Sequence, residues 1–340
     1  MGSSHGTSRI IRLAYHEHPC YVPLLRRSFE LWRELERGHG EQLLHMTGCI
    51  HISAPGTAVF DGCLRSCSEH GLEHEVLDAG QVRSRFPAYR LPAETMAVIE
   101  KEGGFLVPEK CIEAHAAGAR SAGADLREAE PVTGWETIPG GVRVRTAQGT
   151  YEAVRLILTA GSWNGKLAGD LAPVLQVERQ VLAWLGVARP ELFEPAAFPV
   201  FVMEVPEGMY YGFPLFPEGP AGLKLGRLHH RQETVDPDLL DRTAAGPADE
   251  QVLRTFAERY LPDGAGPALA MTVCLFTNTP DEHFLVDLHP EHPEVVLGAG
   301  FSGHGFKFCS VIGEILADLA LEGGTRHDIA LFDAARLIAL

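Results

Sequence analysis

The stretch from Glu294 to Gly324 constrains the fold of this chain more than any other. Glu294-Val-Val-Leu297 reads as a buried strand, and Gly298-Ala-Gly-Phe-Ser-Gly303 as a tight turn. Phe306 to Glu322 then reads as a helix with Phe308, Ile312, Ile315 and Leu319 on its apolar face, stopped by Gly323-Gly324. Residues 298 to 303 fit G-x-G-x-x-G literally, and Glu322 lies at about the spacing of a ribose-binding acid. A dinucleotide fingerprint opens a βαβ unit, however, whereas here only a few dozen residues remain and Glu322 is still on the helix. What survives is a turn that can aim backbone N–H groups and a positive helix end at an electron-rich ligand.

Other segments fill in the organisation. Leu24, Leu25, Phe29, Leu31, Trp32 and Leu35 predict an amphipathic helix over 23–36, with Gly38 after its end. Alternation over Val142, Val144 and Thr146, the turn Ala147-Gln-Gly149, Thr150 to Ala153 and the run Leu156-Ile-Leu158 predict a hairpin followed by a buried strand. Residues 190–270, rich in Pro, Gly and short apolar runs, suggest an antiparallel sheet with long loops. With 340 residues there is room for roughly two domains. The balance of 29 basic against 45 acidic side chains, a net charge of −16, argues against a nucleic-acid partner. No run is long and apolar enough to span a membrane and no signal peptide opens the chain, so no membrane association and a cytoplasmic location are expected. Seven scattered cysteines without a CxxC pair suit free thiols, most of them in the core.

Chemistry-bearing motifs are sparse. The acidic and histidine-rich stretch from Asp281 to His292 lacks metal-ligand spacing and is interrupted by Pro290, so it reads as a loop, and no metal site is expected. There is no G-x-S-x-G nucleophile elbow. Arg9, Arg12 and Lys307 could converge on a carboxylate, or could pair with the abundant surface acids; the residues alone leave both readings open.

Seven blocks in order carry a resemblance: Ser3-Ser-His-Gly6 with Arg9-Ile-Ile-Arg12, Tyr210-Tyr-Gly-Phe-Pro214, Gly222-Leu-Lys-Leu-Gly226, Cys274 in Val-Cys-Leu-Phe-Thr277, Asp281-Glu-His-Phe284, Asp287-Leu-His-Pro-Glu-His292 and Gly300-Phe-Ser-Gly-His-Gly-Phe-Lys307. Together they resemble monomeric sarcosine oxidase and its relatives, the N-methyltryptophan and pipecolate oxidases, over essentially the whole chain. The resemblance implies an α/β protein: a Rossmann-like FAD-binding domain plus a second, α+β substrate domain on a large mixed or antiparallel sheet. It places the FAD domain in residues 1–45, 101–165 and 271–340, and the substrate domain in 46–100 and 166–270. It implies oxidation of the C–N bond of a secondary amine bearing a carboxylate. Hydride equivalents pass to the flavin, the imine hydrolyses, and O2 is reduced to hydrogen peroxide. A monomer is implied. Alternatives are N-methyltryptophan-type or pipecolate-type specificity, a dehydrogenase that does not use oxygen, or a flavin-free remnant.

Residue by residue, Cys274 matches the cysteine that bonds covalently to FAD. Arg12 and Lys307 match the cations that clamp the substrate carboxylate, Arg9 a basic residue beside the flavin, and Lys224 the lysine that assists oxygen reduction. Tyr211 matches a pocket tyrosine and His229 an active-site histidine, with the register of Lys224-Leu-Gly-Arg-Leu-His-His230 open by a residue. Ser4, His5, Val132, Gly161, Gly300, Gly303, His304, Gly305 and Phe306 are expected around the cofactor. Phe276 stands where sarcosine oxidase has tyrosine, and Val202 where the pocket has methionine, which implies a more apolar and roomier site. Family members also begin with a strand, a G-x-G-x-x-G turn, a helix and a second strand ahead of Ser-Ser-His-Gly. Here only Met1 and Gly2 precede that motif, so a truncated FAD domain lacking a first βαβ unit of on the order of 40 residues is expected.

Overall fold

The computed structural model describes residues 2–338. Its centre is a nine-stranded mixed sheet. The strands run Glu233–Thr234, Gln176–Leu185, Leu223–Arg227, Gly208–Phe213, Val200–Val205, Cys49–Ser53, Met96–Glu100 and Glu75–Asp78, and Ala268–Asn278 also pairs with Gln176–Leu185. Only Val200–Val205 and Cys49–Ser53 pair in parallel; every other neighbour is antiparallel. Residues 271–278, expected with the FAD-binding half, therefore complete the large sheet.

Alternation sorts the side chains of each strand between two cores. Ile50, Ile52, Phe201 and Met203 face one that is closed by Leu253, Phe256 and Tyr260 of the helix Pro247–Tyr260. Phe256 stacks on Tyr210 with ring centroids 4.0 Å apart. A buried ion pair holds this helix: both Asp249 oxygens accept from Arg179 of the sheet, at 2.9 and 2.8 Å. The other core lies among the helices Tyr21–His39, Ala58–His70 and Cys309–Glu322.

The expected helix over 23–36 forms as Tyr21–His39, with Trp32 fully buried and Gly40 ending it at a positive φ of 82°. The hairpin forms as Gly141–Thr146 and Thr150–Ala153, joined by Val132–Ile138 into a three-stranded antiparallel sheet. Residues 190–270 hold antiparallel strands as expected, but also the Pro247–Tyr260 helix, whose spacing of Leu253, Phe256, Ala257 and Tyr260 is helical.

The last third follows its pattern. Val295–Ala299 is fully buried and lies parallel to Leu156–Leu158 and antiparallel to Leu285–Leu288. After a one-turn 3-10 helix, Phe306–Phe308, the helix Cys309–Glu322 buries Ile312, Ile315 and Leu319. Leu156–Leu158, expected to be buried, is so only at Leu158. Ile157 is 40% exposed, because the strand is the sheet's edge among the described residues. The first strand of the chain, Arg9–Arg12, pairs antiparallel with Gly103–Leu106.

One close approach fixes the site. The helix Ala58–His70 passes so near the loop after the first strand that a Cβ on Gly62 would come within 2.4 Å of the His16 carbonyl oxygen. Neither backbone can yield cheaply. Gly62→Ala is expected to cost about 1–3 kcal/mol, read as a lowered denaturation midpoint with an unchanged denaturant slope.

Candidate active site

A cavity of about 350 Å³ opens where the first strand, the large sheet and the glycine turn meet. Strand periodicity delivers its walls. Tyr211 and Phe213 come from one strand, Cys274 and Phe276 from another, Val202 from a third, with Leu182, Met209 and Leu228 between them. The turn contributes Gly303, His304 and Phe306; Gly303, at φ 78°, lets it close against Phe276, whose ring a Cβ would meet at 2.4 Å. The charged lining is Arg9, Arg12 and Lys307 opposite Glu17, Asp281 and Glu282.

Arg12 is 3% exposed. Its Nη2 donates to both oxygens of Glu17, at 2.7 and 2.8 Å, Nη1 donates to the Ala14 carbonyl, and the guanidinium lies 4.2 Å from the Tyr15 ring centroid. The pair raises the Arg12 pKa and, with burial working against it, holds the Glu17 carboxyl well below the usual carboxylate range. Lys307 is also buried and donates to the His304 carbonyl at 2.8 Å. Trp32 Nε1 and Ser28 Oγ of the first helix both donate to the Lys307 carbonyl, so that helix sets the position of the lysine. Burial, and next the charge of Arg12, lower the Lys307 pKa to about 7.

His304 is neutral, its pKa lowered to about 4 chiefly by burial. Its Nε2–H donates to the Glu282 carbonyl at 3.0 Å, which leaves Nδ1 to accept from the Tyr15 hydroxyl at 2.5 Å. Cys274 is 2% exposed, and its Sγ lies 3.5 Å from the Ser3 carbonyl oxygen and 3.8 Å from Arg9 Nη2. The segment carrying Ser4 and His5 thus lies over the cysteine. His5 Nε2 is buried without a partner, and burial followed by Arg9 lowers its pKa to about 4.

Other expected residues fall behind or beyond the wall. Lys224 is 2% exposed, and its Nζ contacts the Gly6 and Ser8 carbonyls and Ser8 Oγ at 2.6–2.8 Å, 4.3 Å from the Phe213 ring centroid. Burial, and then Arg9, hold its pKa well below the ordinary lysine value. His229 does not line the cavity; Leu228 does. The strand ends at Arg227, and His229 takes a positive φ of 53° that turns the chain away. Its ring bridges Glu178 at 2.7 Å and Glu282 at 2.9 Å, and these partners raise its pKa to about 10. Gly300 and Gly305 shape the turn without lining the cavity, and Gly300 is buried at φ 58°. Ser4, Val132 and Gly161 are exposed and outside the cavity. Glu17 and Tyr15 were not among the expected residues. A carboxylate five positions after the clamp arginine was the available signal.

The chain has relatives among known proteins. A family model described as FAD dependent oxidoreductase matches residues 1–319, and the chain belongs to that family. Within it, the chain is 42% identical to monomeric sarcosine oxidase of Streptomyces avermitilis, over 99% of this chain and 88% of that one. It is 34% identical to N-methyl-L-tryptophan oxidase of Yersinia pestis (strain Pestoides F), over 98% of this chain and 89% of that one. Among solved structures it resembles NikD, an unusual amino acid oxidase essential for nikkomycin biosynthesis. The TM-score there is 0.81 at 25% identity, covering 98% of this chain and 87% of that one. The mixed α/β architecture is thus that of FAD-dependent oxidoreductases.

Two outcomes are expected at the clamp. Glu17→Gln leaves Arg12 buried without its anion, so a simple carboxylate such as acetate should bind roughly tenfold tighter, about the worth of one charge-assisted hydrogen bond. Lys307, with its pKa near 7, is mostly neutral at pH 8 in the ligand-free protein and must charge to hold an anion. Carboxylate binding should therefore take up a proton and weaken as pH rises above 7. Calorimetry at pH 8 in two buffers of different ionisation heat measures this, and zero proton uptake would remove Lys307 from the clamp.

Proposed function

We propose that this chain is an FAD-dependent oxidase of small secondary amino acids, of the sarcosine and N-methyl amino acid class. The observation that carries the reading is the pair of buried basic side chains, Arg12 and Lys307, facing one cavity with Cys274 and the Tyr211 and Phe276 rings. Glu17 already shows Arg12 gripping a carboxylate through both oxygens. Its place is where a substrate carboxylate would compete.

The residues present fit a flavin. Gly303 leaves its approach open, His5 offers an unpartnered buried nitrogen, and Cys274 holds its sulfur at the wall, where we place a covalent attachment. Cys274, Arg9, His5 and the Gly300–Phe306 turn would hold the ring. FAD would supply the two-electron acceptor: the substrate loses a C–H hydride and an N–H proton, and these two electrons and two protons reach O2 to give hydrogen peroxide. The resulting imine is hydrolysed by water; an N-methyl group leaves as formaldehyde. Arg12 and Lys307 fix the carboxylate, the aromatic walls exclude water from the bond, and Lys224 places a basic nitrogen beside the Phe213 ring for oxygen reduction. The division into an FAD half (1–45, 101–165 and 271–340) and a substrate half, a monomeric state and a cytoplasmic location belong to the same reading.

Phe276 offers no hydroxyl and Val202 a short wall. An N-methyl or cyclic amino acid with a larger apolar side chain should therefore have a higher kcat/KM than sarcosine, and an equal or lower value would refute the roomier pocket. Flavin content is measured on the purified chain by its visible spectrum. Yellow colour that stays in the acid precipitate supports attachment at Cys274, and Cys274→Ala should release it. A colourless chain would sink the enzyme reading. Lys224→Met should slow reoxidation by O2 far more than flavin reduction, in stopped-flow traces of the two half-reactions.

A further inference from the structure

Below the clamp lies a second polar cluster. The strand Cys49–Ser53 points Ile50 and Ile52 into one apolar core, so Cys49, His51 and Ser53 share its other face, and all three are buried. The helix Ala58–His70 covers that face and supplies Cys63, whose Sγ contacts the Ala14 carbonyl at 3.4 Å. The loop after the first strand supplies His16. His16, His51 and Cys63 each bring one donor atom to within 4.8 Å of the other two.

The hydrogen bonding leaves a vacancy for an electron-pair acceptor. His51 Nε2 is held by Glu100 Oε1 at 3.0 Å, and Glu100 Oε2 accepts from the Leu13 and Ala14 N–H groups at 2.9 Å. Glu100 is thereby committed as an orienting group rather than a ligand. His51 Nδ1 has no partner although the residue is 0% exposed; His16 Nδ1 makes no hydrogen bond but lies 3.4 Å from Glu17 Oε2. A buried polar atom without a partner costs on the order of 1–3 kcal/mol, so each such atom calls for a reason. A histidine with a carboxylate on one nitrogen and a bare second nitrogen is arranged as metal-binding imidazoles are.

We propose that His16, His51 and Cys63 form a site for one divalent cation of the zinc type, with Glu100 orienting His51. Two imidazole nitrogens and a thiolate select a borderline-soft metal over magnesium or calcium. His16 also lines the active-site cavity, which gives the ion an entry path and a water for the fourth position. Donor atoms of a tetrahedral zinc site lie about 3.3–3.8 Å apart, so the side chains must draw together by about 1 Å. His16, its backbone held against Gly62, does so through its side-chain torsions. Coordination replaces the Cys63 thiol proton, which leaves to solvent. Because His16 precedes Glu17, a bound ion anchors the backbone that carries Glu17 onto Arg12. Resting on the amine oxidase reading, this makes zinc an inhibitor that raises KM for a carboxylate substrate while changing kcat little.

Zinc absorption spectroscopy on the full, flavin-loaded chain tests the site separately from turnover. After incubation with zinc sulfate and desalting, one zinc per chain is expected, with one sulfur at about 2.3 Å and two nitrogens at about 2.0–2.1 Å. Cys63→Ser should lose the sulfur shell and weaken binding by about tenfold or more. Should that variant fail to fold, His16→Asn takes its place and the histidine count must fall by one. Substoichiometric zinc in the wild-type protein, a shell without sulfur, or a sulfur shell that persists in Cys63→Ser overturns the proposal. Loss of turnover with the zinc shell intact would instead count against the oxidase reading alone.

Discussion

A guanidinium cannot stay in a protein interior without an anion, and that constraint at Arg12 organises the centre of this molecule. Glu17 satisfies it, and in doing so draws the loop of residues 14–17 down onto the helix Ala58–His70, where Gly62 leaves room. Tyr15, on the same loop, covers the guanidinium and donates to His304, so the glycine turn is linked to the clamp. From the other side, Trp32 and Ser28 hold Lys307 by its carbonyl. Replacing one partner of the Arg12 pair would strand the other in low dielectric. A substrate carboxylate is thus accepted only in exchange for an internal one.

Ion pairs of two kinds surround this centre. Arg179 with Asp249 is buried and ties the Pro247–Tyr260 helix to the sheet. His229 between Glu178 and Glu282 is half-buried and ties the strand Gln176–Leu185 to the loop that carries Asp281 and Glu282 into the cavity. Because its folded pKa is raised above the ordinary 6.5 to about 10, the stability it contributes is fully present below 6.5 and is lost as pH rises through 10.

Much of the fold was legible because burial writes its period into the sequence. The stripe through Phe29 and Trp32 and the face through Ile312, Ile315 and Leu319 could only be helical, and both helices form. The segment around Leu253, Phe256 and Tyr260 carried the same period, yet the Pro and Gly content of residues 190–270 masked it. Pairing across the sheet was not legible, because nothing local records that Cys49–Ser53 lies parallel to Val200–Val205. At the site, Arg9, Arg12, Cys274, Phe276 and Lys307 were found through the ordered blocks and do meet at one cavity. His229 lies off the cavity, since a left-handed backbone after Arg227 is invisible to alternation. The His16, His51 and Cys63 cluster was invisible for another reason: its members come from a loop, a strand and a helix, with no common spacing to find.

The edge at Leu156–Leu158 bears on how the protein behaves in solution. Among the described residues it is an open parallel edge with Ile157 outward, and unpaired backbone groups beside an apolar side chain are a template for association between copies. The strand is only three residues long, and a net charge of −16 keeps copies apart at neutral pH. Both safeguards are not equally durable: acid or high salt removes the second and leaves brevity alone to prevent clumping.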